Sequence, residues 1–273
     1  MSGRLVVCPT PIGNLEDVTL RVLSALREAD VVACEDTRRT RVLLERYGVN
    51  ARLVSYHEHN ERARSAELVG RMRDGAVVAL VSDAGMPLVS DPGYVLVQAC
   101  VAAGLPVEVL PGPSAAITAL VASGLPADEW HFHGFLPRKK GELREMLARA
   151  SSTLIAFESP RRLPATLALL AEVDPDRDVA VCRELTKAHE EVVRGSAAEL
   201  AERYAGGPPK GEIVLVIAPP ASHSAKRDAP DPAALAALKK LVDAGAHPRK
   251  AATVVASLTG TSANALYRAL TSE

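Results

Sequence analysis

One stretch in the first third of the chain reads Ala76-Val77-Val78-Ala79-Leu80-Val81-Ser82-Asp83-Ala84-Gly85-Met86-Pro87-Leu88-Val89-Ser90-Asp91-Pro92-Gly93. Its opening is apolar without alternation, the pattern of a strand covered on both faces, as in a parallel sheet. The loop that follows holds two aspartates, two glycines and two prolines, so a buried strand runs straight into a polar turn. In open α/β sheets, ligands gather at that carboxyl edge. Asp83 stands at the strand's end, placed to accept hydrogen bonds from a ribose or an ammonium group. Asp91 precedes Pro92 and a helical run, and reads as a helix N-cap.

The same grammar repeats on either side. Residues 4–8, 31–34, 52–56 and 106–110 are Val-rich, strand-like runs, and helical patterns at 18–29 and 61–73 separate them. Strand–helix alternation argues for a mainly parallel α/β sheet. Two further strand-to-turn junctions stand out: Cys8-Pro9-Thr10-Pro11-Ile12-Gly13-Asn14 and Leu110-Pro111-Gly112-Pro113-Ser114-Ala115-Ala116. Small residues in the second allow close backbone approach, and the N–H groups of a helix start can receive a carboxylate or phosphate. No Gly-Lys-Ser/Thr follows it, and no Gly-x-Gly-x-x-Gly follows any strand, which speaks against a phosphate-binding P-loop or a dinucleotide site.

From about residue 129 the rhythm changes. Strands are expected at 130–135, 152–157, 178–183 and 212–217, with helices at 139–150, 161–171 and 197–204. The expected division is an α/β domain over 1–124, a second over 125–220, and a helix-turn-helix-like module over 229–273, with helices at 232–243, 248–258 and 262–272. The Pro/Ser-rich residues 219–224 read as the linker. A chain of 273 residues is long enough for more than one domain at about 150 residues each. With 48% hydrophobic and 24% charged residues it is neither disordered nor collagen-like.

Net charge is −1, so no global field draws the chain to nucleic acid or membrane. Residues 221–273 carry seven Lys/Arg against four Asp/Glu, a mildly basic tail. Aromatics are 3% of the chain, which disfavours base stacking on aromatic platforms. Cys8, Cys34, Cys100 and Cys182 lie far apart in apolar stretches and read as buried small hydrophobes in a reducing compartment. The chain enters a strand almost at once, with no expected signal peptide. Prolines and glycines break the uncharged run 109–127, so no membrane span is expected and the compartment is read as cytoplasmic.

Two charged clusters remain. In Glu35-Asp36-Thr37-Arg38-Arg39-Thr40-Arg41, Asp36 or Thr37 reads as a helix cap, and the arginines suit a polyanionic substrate if they face a cleft. In Tyr56-His57-Glu58-His59-Asn60 the two histidines alternate with no third ligand at a known spacing, so metal binding is disfavoured. Arg138-Lys139-Lys140 and Arg161-Arg162 read most simply as solvated helix starts.

Together, Thr10-Pro11-Ile12-Gly13-Asn14-Leu15, Glu35-Asp36-Thr37-Arg38, the 82–93 loop and Leu110-Pro111-Gly112-Pro113-Ser114-Ala115 resemble the tetrapyrrole-methylase superfamily of S-adenosylmethionine-dependent methyltransferases. Within it, residues 35–38 and 56–61, Gly134-Phe135-Leu136-Pro137-Arg138-Lys139-Lys140-Gly141 and Phe157-Glu158-Ser159-Pro160-Arg161-Arg162 resemble the branch that methylates small-subunit ribosomal RNA. The resemblance covers about residues 4–218; the tail resembles that branch's optional extension more weakly. It implies two α/β domains, a homodimer, and S-adenosyl-L-methionine in the cleft between the domains. The implied cofactor contacts are Pro11, Ser82, Asp83, Met86, Ser114, Ala115, Glu158, Leu185 and Gly211. The implied reaction is methyl transfer to the ribose 2′-hydroxyl of a cytidine in the decoding region of 16S ribosomal RNA. Glu35, Asp36, His57 and Glu158 are candidates for taking the proton, and Arg38, Arg39, Lys139 and Arg161 for holding phosphates. Many relatives carry Gly-Asp-Pro where this chain has Ser82-Asp83-Ala84, which makes a tetrapyrrole substrate less expected. A sister methyltransferase acting on a tetrapyrrole or a translation factor, and a ligand-sensing DNA-binding regulator, stay open as alternatives.

Overall fold

A computed structural model describes residues 3–220, 232–259, 261 and 263–271. The linker reading over 221–224, and Ser262 and Ser272 at the ends of the last expected helix, lie outside the described residues.

Strands β1 (Arg4–Val7), β2 (Val31–Cys34), β3 (Leu53–Ser55), β4 (Val77–Val81) and β5 (Val107–Val109) form one sheet in the order β3-β2-β4-β1-β5. Every pairing in it is parallel. Successive side chains of a strand point to opposite faces, and here both faces are covered. Leu5, Val7, Val31, Ala33, Val78 and Leu80 pack against α3 (Glu61–Arg73) and α4 (Tyr94–Ala102) through Leu68, Met72, Leu96 and Cys100. Val6, Cys8, Val32, Cys34, Ala79 and Val81 face the other way, onto Val22, Leu23 and Leu26 of α1 (Leu20–Glu28) and Leu44 of α2 (Thr37–Arg46). That double cover is why β2 and β4 read as unbroken apolar runs, while the edge strand β5, with Glu108 at its centre, does not.

The second sheet contains β6 (Trp130–Phe135), β7 (Thr153–Glu158), β8 (Asp178–Arg183), β9 (Glu191–Ser196) and β10 (Ile213–Ile217), ordered β6-β7-β10-β8-β9. Only β6 and β7 run parallel; the other pairings are antiparallel. One face packs on α6 (Lys140–Arg149), α7 (Leu163–Val173) and α8 (Ala197–Tyr204), with Leu147, Leu167 and Leu200 at its centre. The other face, Ile155, Ala180, Cys182, Val214 and Val216, is covered by α5 (Ala115–Ser123) through Ala116, Ala119 and Leu120. Helix α5 follows directly from the first sheet, so it joins the two halves. Arg194 on β9 secures its end, donating from Nε to the Ser123 carbonyl at 2.8 Å.

Helices α9 (Pro232–Asp243), α10 (Pro248–Thr259) and α11 (Ala263–Thr271) gather around Ala234, Leu238, Ala252, Val255 and Leu266. All four cysteines are free and buried. Burial pushes the Cys8 thiol up to about 12, with the Glu108 charge adding to it, so it stays neutral. Among the described residues, no helix is long and apolar enough to cross a membrane.

Candidate active site

Parallel pairing puts the carboxyl ends of β4, β1 and β5 side by side on one edge, and the three unusual junctions leave from there. The first two are stitched together. Thr10 and Gly85 exchange backbone hydrogen bonds of 2.9 Å in both directions, and the Thr10 hydroxyl donates to the Ser82 carbonyl at 3.0 Å. The Ser82 hydroxyl, 3% exposed as a residue, donates to the Gly85 carbonyl at 3.2 Å. The third junction ends at Ser114, the N-cap of α5, whose hydroxyl makes no capping bond.

Between these loops and the second sheet lies a cavity of about 360 Å³. The first half lines it with Ile12, Ala84, Gly85, Met86, Val89, Ser90, Asp91, Ser114 and Ala115. The second contributes Phe135, Phe157, Glu158, Ser159, Pro160, Cys182, Leu185, Gly211, Glu212, Ile213 and Val214. Phe157 meets Phe135 edge-on, with centroids 5.6 Å apart, and Phe135 is 61% exposed.

Of the residues singled out in the sequence, Met86, Ser114, Ala115, Glu158, Leu185 and Gly211 are on the cavity wall. Pro11, Ser82 and Asp83 are not among the lining residues; they belong to the loops that shape it. Asp83 Oδ1 accepts the Asp36 N–H at 2.9 Å, and Oδ2 lies 3.5 Å from the Arg39 guanidinium. Asp83 thereby ties the β4 end to the start of α2.

Glu35, Asp36 and His57 also lie off the wall. Asp36 caps α2 through the Arg38 N–H at 2.8 Å and grips the Arg38 guanidinium at 2.8 and 3.1 Å. These bonds hold its carboxyl down at about 2. Glu35 is pushed up by burial and by the Asp83 charge, against Arg39 and His57. His57 Nδ1 is buried without a hydrogen-bond partner among the described residues. Among the described residues, no three His, Cys, Asp or Glu side chains gather as a metal site.

Glu158 is on the wall but fully engaged, its side chain 0% exposed. It accepts the Ser159 N–H at 2.7 Å and the Thr166 hydroxyl at 2.6 Å, with Arg162 Nε at 3.4 Å. Arg162 also donates to the Leu136 and Pro137 carbonyls at 3.1 and 2.6 Å. That bond pair ties the start of α7 to the Leu136–Pro137 turn, and the neighbouring Arg161 is exposed. Lys139 is exposed and pairs with Glu142 at 2.9 Å. Arg38 and Arg39 are exposed on the first turn of α2.

One reading needs correction. Asp91 does not cap a helix: α4 begins at Tyr94, after Gly93, whose φ of 138° no other residue adopts easily. Asp91 instead lines the cavity. Burial raises its carboxyl to about 6, the Ser82 hydroxyl opposing and the Glu35 and Asp83 charges adding to the rise. No local signal separates this aspartate from a cap, since Asp-Pro before a helix is the usual capping pattern.

Residues 4–201 match the family of Tetrapyrrole (Corrin/Porphyrin) Methylases, and the chain belongs to that family. It is an S-adenosylmethionine-dependent methyltransferase of mixed α/β architecture. It is similar to the ribosomal RNA small subunit methyltransferase I of Mesorhizobium japonicum, 47% identical over 97% of this chain and 90% of that protein. The protein of the same name from Thermotoga maritima is 45% identical over 79% of this chain and 98% of its own length. Among solved structures, the uroporphyrin-III-C-methyltransferase of Thermus thermophilus superposes with a TM-score of 0.55 at 25% identity, covering 79% of this chain and 94% of that one.

The cavity suits the methyl donor. Its volume falls in the range of small-molecule sites, about 300–1,000 Å³. The apolar side chains of Ile12, Leu185 and Val214 suit a base, and the free N–H groups at the start of α5 suit a carboxylate. Gly211, at φ 99°, leaves backbone exposed where a Cβ would stand 2.4 Å from Glu184 Cγ. A sulfonium carries positive charge, and a wall holding Asp91 and Glu158 favours it.

Proposed function

We propose that this protein methylates the 2′-hydroxyl of a cytidine ribose in the decoding region of 16S ribosomal RNA, with the 30S subunit as its partner. The observation that carries the reading is the 47% identity, over 97% of the chain, to a protein named for methylating small-subunit ribosomal RNA. A bound S-adenosylmethionine supplies an activated methyl group, so what the protein must add is chiefly alignment. Met86, Ser114, Ala115, Leu185 and Gly211 form the walls that hold it, Glu158 stiffens them, and Pro11, Ser82 and Asp83 keep the loops in place. The exposed ring of Phe135 at the wall offers the target base a stacking surface.

Phosphate contacts fall to Arg38, Arg39, Lys139 and Arg161, all exposed, with the basic tail as an accessory. Such contacts depend on placement more than on the total, so a net charge of −1 is no obstacle. The homodimer joins through apolar surface that includes Ile117 and Val121, 43% and 76% exposed one turn apart on α5. We read the domains as 1–124, 125–220 and 229–273, since the two sheets fall within the first two spans and α9 to α11 within the third. The protein works in the cytoplasm, where its substrate is assembled.

The test is transfer of labelled methyl from S-adenosylmethionine to 30S subunits lacking native modifications. Alkali-resistant label is expected, because a 2′-O-methyl blocks cleavage at the adjacent phosphate. A protein that binds the cofactor and labels no RNA would refute the substrate assignment.

A further inference from the structure

Three carboxylates line the cavity: Asp91, Glu158 and Glu212. Glu158 is held by Ser159, Thr166 and Arg162 on both oxygens. Glu212 turns outward, its side chain 74% exposed and paired with Lys187 at 2.9 Å. Asp91 alone is half-buried, faces the cavity and makes no ion pair among the described residues.

The loop that presents it is strained in a way that needs explaining. Leu88 and Ser90 are not glycines, yet they hold φ of 73° and 68°, with Gly85 and Gly93 also positive at 80° and 138°. A non-glycine residue in this region is strained and persists only where the surroundings impose it. Here they do. The Leu88 side chain fills the place where a Cβ on Gly93 would stand, 2.7 Å away, with Leu80 at 2.9 Å on its flank. Ser90 Oγ reaches Gly134 on β6, 3.3 Å from where a Cβ there would stand. The loop is thus wedged between the first sheet's core and the second sheet, with Asp91 fixed at the joint. The charged and polar groups that act on it are the Ser82 hydroxyl and the carboxyls of Glu35 and Asp83.

Resting on the ribose-methylation reading, we propose that Asp91 is the general base of the reaction. Its carboxylate takes the proton of the substrate hydroxyl while that oxygen's electron pair forms the bond to the methyl carbon. The methyl–sulfur bond breaks with its electron pair left on sulfur, so a cation and an anion become a neutral thioether and a neutral carboxylic acid. A base works best with a pKa near the operating pH, and burial brings Asp91 to about 6. The charge it carries in the resting enzyme also faces the cationic donor.

The test compares the full chain with Asp91→Asn in three measurements. Single-turnover methyl transfer to unmodified 30S subunits should fall by about 10²-fold or more. Affinity for S-adenosylhomocysteine, by calorimetry, should stay within about tenfold. In infrared spectra of the S-adenosylhomocysteine complex, a protonated-carboxyl band should titrate away with a midpoint near 6 in the wild type and be missing from the variant. A variant that retains wild-type transfer, or a variant that keeps the titrating band, overturns the assignment. If the variant loses cofactor binding, the wild-type profile decides. A single-turnover rate that climbs with pH to a plateau above about 6 supports Asp91, and a flat one overturns it. A wild type that binds cofactor but labels no RNA overturns the substrate reading itself, an outcome distinct from all of these.

Discussion

Replacing Glu158 by alanine should destabilise the fold by about 2–5 kcal/mol, because two hydrogen-bond donors lose their acceptor in the interior. The structure supplies the contributions. The Glu158 side chain is 0% exposed and the Arg162 side chain 30%, so the arginine can turn to water, whereas Thr166, 3% exposed, cannot. The Ser159 N–H and the Thr166 hydroxyl lose acceptors at 2.7 and 2.6 Å, and each buried donor left unpaired costs about 1–3 kcal/mol. For a chain of this size that means a fall in Tm on the order of 10 °C. Glu158→Gln keeps one carbonyl oxygen for Ser159, and its amide can donate to the Thr166 hydroxyl, which rotates to accept. It should cost only about 1 kcal/mol. Calorimetric unfolding of both variants, with single-turnover methyl transfer beside it, checks the reasoning. An alanine variant within about 2 °C of wild type, or a glutamine variant as damaged as the alanine one, would show that the carboxylate is not a structural anchor. A loss of about 10²-fold in transfer by Glu158→Gln at intact stability would move the base role from Asp91 to Glu158.

Other outcomes follow from the same geometry. Gly211→Ala forces a Cβ within 2.4 Å of Glu184 Cγ and breaks that carboxylate's bonds to Lys187 at 2.8 Å and the Glu212 N–H at 2.9 Å. Cofactor affinity should drop by about tenfold or more, and unchanged calorimetric affinity would contradict the placement of Gly211 on the wall. The raised Asp91 carboxyl binds a proton in the folded state that the unfolded chain releases at lower pH. Wild-type stability is therefore lost as pH climbs from the ordinary aspartate value of 3.8 through about 6. Urea unfolding should show Asp91→Asn gaining on wild type across that window; parallel curves would exclude the shift. Arg39→Ala should lower the slope of log binding constant against log salt for RNA by about 1 and leave cofactor affinity alone, and an unchanged slope removes Arg39 from the phosphate contacts. Ending the chain at residue 220 should leave cofactor affinity intact, because the cavity's lining ends at Val214; a large loss in calorimetry would place the tail at the cavity.

Much of the fold was readable along the chain. The expected strands 130–135 and 178–183 are β6 and β8 residue for residue, and Val77–Val81 is apolar throughout because it is covered on both faces. What escaped was β9, Glu191–Ser196: a half-buried edge strand that carries Glu, Arg and Gly, where neither alternation nor an apolar run develops. The three junctions that drew notice for their glycines, prolines and aspartates do converge, since parallel strands must put their carboxyl ends on one edge. Short-range pattern could reach that far because strand period, turn chemistry and capping are set by residues a few positions apart.

The cavity was decided at longer range. Helix α5 belongs by sequence to the first half, yet its Ala116, Ala119 and Leu120 close the far face of the second sheet. That packing, not any motif, brings Ser114 and Asp91 opposite Glu158, Leu185 and Gly211. The surroundings of the two aspartates of the opening stretch were decided by the same long-range packing. Asp83, at the strand end, is drawn off to the start of α2 by the Asp36 N–H and Arg39, while Asp91 is turned to the cavity by a strained loop wedged between two sheets. A residue's chemistry is written in the chain, but its desolvation, its partners and the direction it faces depend on atoms dozens of positions away, and these exist only once the two halves have packed.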